Sequence, residues 1–318
     1  MTQHRPRRRP ARPSRLVLSG LVTLLALTGC VGKTQQDQQI RIATGSANGV
    51  YYAVGTALAG LVNRELPGMH ASVLETQASA ENVQLVLHGG AEIGFTQADI
   101  LVSGGGPPAG MAALARVYDD LLHLVVRADS PIRSLEDLKG RRVSVGGSGS
   151  GTVVTVRRLL SVARMSGAGV VDQRELNLDD SLQALAQGKI DAFFFSGGLP
   201  VAGIKQFSRV HPTRIVDLSK WAPDLRRAYS DVYVVRNVPT SAYGVPAVAT
   251  IAVPNLLVVP TAMPDELAFE LTRLLMERRD VLAAAHPAAE GLDMRSAIAT
   301  LPVPLHPGAA RYFRSAKP

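Results

Sequence analysis

The stretch IRIATGSANGVYYAVGTALAGLV, residues 40–62, decides the fold of this chain. Residues 40–43 alternate as a strand does, residues 45–49 form a turn bounded by two glycines, and apolar residues then recur at helical spacing. Strand, helix and strand signals follow at residues 71–74, 79–88 and 92–97. This βαβαβ order predicts a parallel sheet with right-handed crossovers.

A second unit of the same design begins after residue 127. The strand at residues 142–145 enters the glycine-rich turn GGSGSGT, residues 146–152, and a helix follows. Further helix and strand signals lie at residues 179–187, 190–195 and 249–259, the last interrupted by Pro254. We therefore predict an α/β protein of two lobes, with residues 40–127 plus 251–318 in the first and the inserted residues 128–250 in the second.

The positive charge of the chain is concentrated at its start. The 318 residues carry a formal charge of +8, and residues 1–29 contain six arginines and no acidic residue. Subtracting those six from 34 basic residues leaves 28 against 26 acidic residues, a net charge of +2. Because a body so close to neutral produces no field that attracts polyanions, we expect no nucleic-acid partner.

The first 29 residues have the pattern of an export signal. An uncharged stretch, residues 16–27, follows the arginines and leads to Thr28, Gly29 and Cys30. Twelve helical residues rise about 18 Å, which is short of the roughly 30 Å hydrocarbon core. The run LTGC resembles the lipobox of bacterial lipoproteins, which implies lipidation of Cys30 and a polar tether at residues 30–39. The alternative is an ordinary secretory signal with an incidental cysteine.

The two glycine-containing turns are candidate ligand sites. Each ends a strand and opens a helix, where unpaired N–H groups favour a carboxylate or phosphate; the alternative is two tight turns without a ligand. The chain has no P-loop lysine, no G-x-S-x-G and no zinc-binding histidine pair. The pairs Asp119-Asp120 and Asp179-Asp180 are interpreted as charges at helix starts. We therefore expect no catalytic residue, metal or cofactor.

Over most of its length the sequence resembles the TAXI-type solute receptors of tripartite ATP-independent periplasmic (TRAP) transporters. The resemblance covers about residues 40–313, in register. It rests on IATG and GVYY at residues 42–45 and 49–52, SAEN at 79–82, QAD at 97–99, RVSVG and GSGT at 142–146 and 149–152, GKIDAFF at 188–194 and PLHPGAARY at 304–312.

The resemblance implies a type II periplasmic-binding-protein fold, two α/β lobes with a hinge and a ligand cleft between them. It implies an extracytoplasmic receptor, lipid-anchored here and monomeric, that captures a small acidic solute and delivers it to a TRAP permease driven by an ion gradient. The solute would be a glutamate-like amino acid or a dicarboxylate or oxoacid. The ligand contacts carried over from the matching motifs are Gly45, Ser46, Tyr51, Ser79, Asn82, Gln97, Ser148, Ser150, Thr152 and Gly197.

Several alternatives stay open. Tyr51 could be a core aromatic residue instead, and Ser79 and Asn82 could serve only as helix caps. The chain also departs from the family where two glycines usually precede SAEN, since Gln77 and Ala78 stand there. Other hypotheses are a receptor of the same fold for an ATP-driven (ABC) importer or a sensor kinase, an exported enzyme on that scaffold, and a structural or adhesive lipoprotein.

Overall fold

A computed structural model of the chain describes residues 1–2, 37–102 and 106–316. The described residues from 37 onward form one compact unit. Nearly all of the predicted signal peptide, Cys30 and most of the predicted tether lie outside the described residues. Within the described residues, no helix combines the length and the apolar character that crossing a membrane requires.

The described residues form a mixed α/β structure. The strands are β1 (Gln38–Ala43), β2 (Met69–Leu74), β3 (Ile93–Gln97), β4 (Met111–Arg127), β5 (Arg142–Ser144), β6 (Asp172–Arg174), β7 (Ala192–Gly197), β8 (Thr213–Ile215), β9 (Val234–Val238) and β10 (Val248–Pro260). The α-helices are α1 (Val50–Glu65), α2 (Ser79–Leu87), α3 (Gly151–Val162), α4 (Leu178–Ala186), α5 (Ala202–Val210), α6 (Ala222–Ala228), α7 (Thr240–Tyr243), α8 (Asp265–Glu277), α9 (Arg279–Ala285), α10 (Met294–Ala297) and α11 (Pro307–Ser315).

One mixed sheet holds the described strands in the order β2-β1-β3-β10-β4-β7-β5-β6, with β8 paired to β4 and β9 paired to β10. β1 pairs in parallel with β2 and β3, which confirms the predicted βαβαβ unit. β5 likewise pairs in parallel with β6 and β7. The two parallel groups are joined through the long antiparallel strands β4 and β10.

Strands β4 and β10 run continuously where the sequence suggests interruptions. The helix-start interpretation of Asp119-Asp120 is wrong, because both residues lie inside β4 and pair with β10. Pro254 does not end β10: it pairs with Asp119, and its carbonyl accepts a hydrogen bond from the Ala98 N–H at 2.8 Å. The register shifts beside it, after Asn255, and a proline is tolerated in a strand next to such an irregularity.

Apolar side chains of both parallel groups of strands, β1 to β3 and β5 to β7, pack against helices and hold the strands in place. Ile42 of β1 and Phe95 of β3 are fully buried in one cluster with Leu58 of α1. Val143 of β5 is fully buried in a second cluster that includes Val156 of α3. Burying each large aliphatic or aromatic side chain contributes about 1.5–3 kcal/mol relative to leaving it exposed. The loops after these strands are therefore held on a packed scaffold.

Candidate ligand-binding site

The segments that follow β1, β2, β5, β6 and β7 converge on one cavity of about 130 Å³, and Gln97 lines it at the end of β3. Helices α1 to α5 all begin at the same cavity. The residues at or next to their starts that line it are Gly49, Ser79, Gly151, Leu178 and Ala202. In open α/β sheets, ligands bind beyond the carboxyl ends of the strands, so this cavity is the candidate ligand site.

The five helix starts differ in how their first N–H groups are used. The Ser150 side chain caps α3 by accepting from Val153 N at 3.3 Å, and Asn177 caps α4 by accepting from Asp180 N at 2.9 Å. Helices α1, α2 and α5 begin without a side-chain cap. Uncapped N–H groups carry the positive end of the helix dipole, so the wall offers hydrogen-bond donors to an anionic group.

Most of the residues predicted as ligand contacts lie in the wall of this cavity. Those that line it are Gly45, Ser46, Tyr51, Ser79, Gln97, Ser150, Thr152 and Gly197. Asn82 does not line it: this buried side chain donates from Nδ2 to the carbonyl oxygens of Thr44 at 2.6 Å and Phe95 at 2.8 Å. Ser148 is exposed and is also absent from the wall. Asn82 therefore ties α2 to the ends of β1 and β3.

Tyr51 lies in the wall and also packs in the core. Its ring stacks on Phe95 with 5.1 Å between the centroids. Its hydroxyl donates to Asn255 Oδ1 and lies 3.1 Å from Ser79 Oγ, which in turn accepts from Gln97 N at 3.2 Å. These bonds link α1 and α2 to β3 and β10, so both side chains hold the shape of the cavity.

The residue that precedes α2 has a strained backbone. The N-cap of α2 is Ala78 rather than Ser79, and Ala78 has φ +71° and ψ −141°. This region suits glycine, because a Cβ atom clashes there with the residue's own backbone. The resemblance leads one to expect glycine at the same position, so the departure at Ala78 has a direct structural cost.

We expect Ala78→Gly to raise the free energy of unfolding by about 1 kcal/mol, because relief of strain outweighs the added freedom of the unfolded chain. Urea denaturation measures the change. Ala80→Gly in the first turn of the same helix is the matched control and should lower stability by about 0.5–1 kcal/mol. Equal losses in both variants would contradict strain at Ala78.

Asp120 is a cavity residue that the sequence motifs do not predict. It lines the cavity from β4, whereas the neighbouring Asp119 pairs with Arg116 at 2.5 Å and Arg236 at 3.1 Å. Side chains alternate between the two faces of a strand, so adjacent residues point in opposite directions. The signal in the sequence was the acidic pair inside the apolar run VYDDLLHLVV, residues 117–126, which is typical of a strand.

The environment of Asp120 disfavours its ionised form. Asp120 is buried, and its Oδ2 accepts from Gln97 Nε2 at 2.8 Å. Burial raises the pKa of Asp120 to about 7 despite that hydrogen bond, and the nearby charges of Asp119 and Asp99 act in the same direction. The described residues of the cavity wall include no lysine or arginine. The cavity therefore holds one titratable carboxyl group without a cationic partner.

The buried His123 is hydrogen-bonded, directly or through Tyr243, to two residues of the cavity wall. Val201 N donates to the Tyr243 hydroxyl at 3.0 Å, and that hydroxyl lies 2.9 Å from His123 Nε2. The other ring nitrogen, Nδ1, lies 3.2 Å from the carbonyl oxygen of Phe195. Burial lowers the pKa of His123 to about 4, so the ring is neutral, with Nδ1 donating and Nε2 accepting. This chain of bonds fixes Phe195 and Val201, which both line the cavity.

Comparison with known proteins identifies the family. Residues 42–316 match the NMT1-like family, which is most of the chain. The chain belongs to the NMT1-like family. This NMT1-like chain is similar in structure to the periplasmic aliphatic sulphonate binding protein SsuA of Escherichia coli, with 16% identity, a TM-score of 0.50, and coverage of 88% of this chain and 84% of SsuA.

The chain is also similar in structure to a Streptococcus mutans protein from work on glutathione import via GshT and the cystine ABC importer TcyBC. The identity is 14%, the TM-score 0.54, and the match covers 80% of this chain and 96% of that one. These likenesses concern the fold. They show that the NMT1-like chain has the type II periplasmic-binding-protein fold, which confirms the predicted fold class.

Proposed function

We propose that this NMT1-like chain is an extracytoplasmic, lipid-anchored receptor that captures a small acidic solute and delivers it to a TRAP permease. The observation that carries the proposal is the convergence of five helix starts, three of them uncapped, on one cavity in a solute-binding-protein fold. The anchor rests on the motif around Cys30, and the permease rests on the resemblance of the sequence to TAXI-type receptors.

The proposed ligand contacts are the predicted residues that line the cavity, together with Gly49 at the start of α1. The carboxylate of the solute lies against the uncapped starts of α1 and α2, at Ser46, Gly49 and Ser79, and meets hydroxyl and backbone groups of Thr152 and Gly197. Each charge-assisted hydrogen bond contributes about 1.5–3 kcal/mol. Neutral donors and helix dipoles thus replace an arginine or lysine clamp.

We assign β4 and β10 as the hinge between a lobe of residues 40–127 plus 251–318 and a lobe of residues 128–250. Groups from both sides meet at the rim of the cavity: Asn48 Nδ2 donates to Asp179 Oδ2 at 3.2 Å, and Ala80 N donates to Gly149 O at 3.3 Å. A ligand that contacts both lobes stabilises this closed arrangement by its differential affinity, and the permease recognises the closed form.

We expect Gly151→Ala to weaken solute binding at least tenfold. A Cβ atom on Gly151 would overlap Gln97 Oε1 and lie 3.0 Å from Ser79 Oγ, so either the Gln97 side chain leaves its hydrogen bonds to Asp120 and Ser196 or the start of α3 moves away from β3 and α2. Both changes disturb the closed arrangement of the cavity wall, and a higher free energy of that arrangement lowers the affinity for the solute. Isothermal titration with the identified solute measures the change.

Gly291→Ala is the control, because a Cβ atom there meets nothing within 4 Å and the residue lies outside the cavity wall. The control should bind as the wild type does. An unchanged affinity in Gly151→Ala would contradict the closed arrangement as the binding state.

Identification of the bound solute tests the receptor function. The protein is purified without refolding and denatured, and the released small molecules are identified by mass spectrometry. The proposal predicts a solute with at least one carboxylate, and the ligand-free protein should gain about 2.7 kcal/mol of stability at a hundredfold excess over Kd. A protein that releases no solute and shows no thermal shift with acidic solutes is not such a receptor.

A second candidate is a receptor that serves an ABC importer, since the work on the S. mutans relative concerns a cystine ABC importer. Uptake of the identified solute by cells that carry the chain with its transporter separates the two candidates. Inhibition by a protonophore but not by vanadate supports the TRAP permease, and the reverse supports the ABC importer.

A further inference from the structure

Three buried polar atoms of the cavity wall lack a hydrogen-bond partner among the described residues. They are Gln97 Oε1, Asp120 Oδ1 and the Tyr118 hydroxyl, on side chains that are 2%, 4% and 6% exposed. Asp120 and Tyr118 are two residues apart in β4 and therefore lie on the same face of the sheet. Since buried acceptors without donors are costly, a ligand that supplies N–H donors at this place satisfies both groups.

The charges around this place favour a cation. Asp120 is the acidic side chain of the described cavity wall, whereas Asp99 and Asp119 outside it are paired with arginines. His286 also lines the cavity, and burial lowers the pKa of its ring. A second carboxylate on the solute would meet like charge here and no lysine or arginine. This side of the cavity therefore favours a positively charged group of the ligand, whereas the helix starts favour a negatively charged one.

We propose that Asp120 determines the specificity of the site by binding a protonated amine of the solute, with the Tyr118 hydroxyl accepting a second N–H. The inference rests on the proposed receptor function and narrows its ligand class. The solute carries its carboxylate at the uncapped helix starts and its ammonium group at Asp120. Amino acids have this arrangement of charges, and the corresponding oxoacids and dicarboxylates lack the cation.

Matched pairs of probes test this assignment. Isothermal titration compares L-glutamate with 2-oxoglutarate, L-alanine with pyruvate, and L-leucine with 4-methyl-2-oxopentanoate, on the full chain. In the pair that binds, the amino acid should bind at least tenfold tighter than its oxoacid. Asp120→Asn should reduce that ratio at least tenfold, while Asp119→Asn, the same change one residue away and outside the cavity wall, should preserve it.

Three outcomes overturn the inference. They are an oxoacid that binds as tightly as its amino acid, a ratio that survives in Asp120→Asn, and a native solute that contains no amine. A native solute without an amine leaves the receptor function intact, because its release on denaturation still shows that the protein binds a solute. Failure of every probe, together with release of no solute, overturns the receptor function and this inference with it.

Discussion

We expect Asp120→Asn to raise the free energy of unfolding of the ligand-free protein on the order of 4 kcal/mol at pH 8 and to change it little near pH 4. The pKa of this carboxyl is about 7 in the folded protein because of burial, against roughly 3.9 in an unfolded chain. Between these values the folded state keeps the proton and the unfolded state releases it. Wild-type stability therefore falls as the pH rises from about 4 to about 7, and asparagine removes that loss.

Urea denaturation of both proteins at intervals from pH 4 to pH 8 measures this difference. His123 contributes with the opposite sign, since its lowered pKa makes stability rise with pH between about 4 and 6.5, but it is present in both proteins and cancels. Asp119→Asn is the control: it removes a charge outside the cavity wall and should retain most of the pH slope, because burial is the main cause of the raised pKa of Asp120 and the Asp119 charge a smaller one. Parallel pH curves for wild type and Asp120→Asn would contradict the raised pKa of Asp120.

Asp99→Ala should lower the free energy of unfolding by about 3–5 kcal/mol. The fully buried carboxylate accepts from Thr155 Oγ1 at 2.6 Å and from the Tyr233 hydroxyl at 3.0 Å, and its Oδ2 lies 3.8 Å from Arg158 Nη1. Thr155 and Arg158 belong to α3, whereas Asp99 lies two residues after the end of β3. Alanine removes the acceptor of both buried hydroxyls, whereas Arg158 keeps its hydrogen bonds to the Asp99 carbonyl oxygen and the Tyr233 hydroxyl.

Asp99→Asn separates hydrogen bonding from charge at this position. Burial raises the pKa of Asp99, so the ionised form is already costly in the folded protein, and the asparagine oxygen can accept from the same hydroxyls. We expect Asn to retain most of the wild-type stability in thermal and urea denaturation. A loss in Asp99→Ala of less than about 1 kcal/mol would show that this network does not stabilise the contact of α3 with β3.

The fold could be predicted from the sequence because its signals are local. Alternation in residues 40–43 and helical spacing from Val50 predict β1 and α1 within a few residues, and the same reasoning predicts β3, β5 and α3. The signals fail in β4 and β10. There the neighbours are distant in sequence, and pairing on both sides overrides local signals such as Pro254 and the acidic pair in β4.

Some residues of the candidate site could likewise be predicted from local patterns, whereas others could not. The glycine-containing turns place Gly45, Ser46, Ser150 and Thr152 at strand ends and helix starts, and this placement is local. Asn82 also matches a motif, but its hydrogen bonds go to the backbone at the ends of β1 and β3. A motif specifies which residue is present, whereas the direction of its side chain depends on the elements packed around it.

By itself the sequence determined the α/β class, the parallel groups and the turns that meet at the cavity, because hydrophobic periodicity and glycine positions are properties of neighbouring residues. Only the tertiary structure decided the charge of the cavity. Asp120 acquires its raised pKa from burial on β4, and its hydrogen bond with Gln97 of β3 joins residues 23 positions apart. Burial and electrostatic potential are sums over atoms brought together by folding, so no local pattern in the chain encodes them.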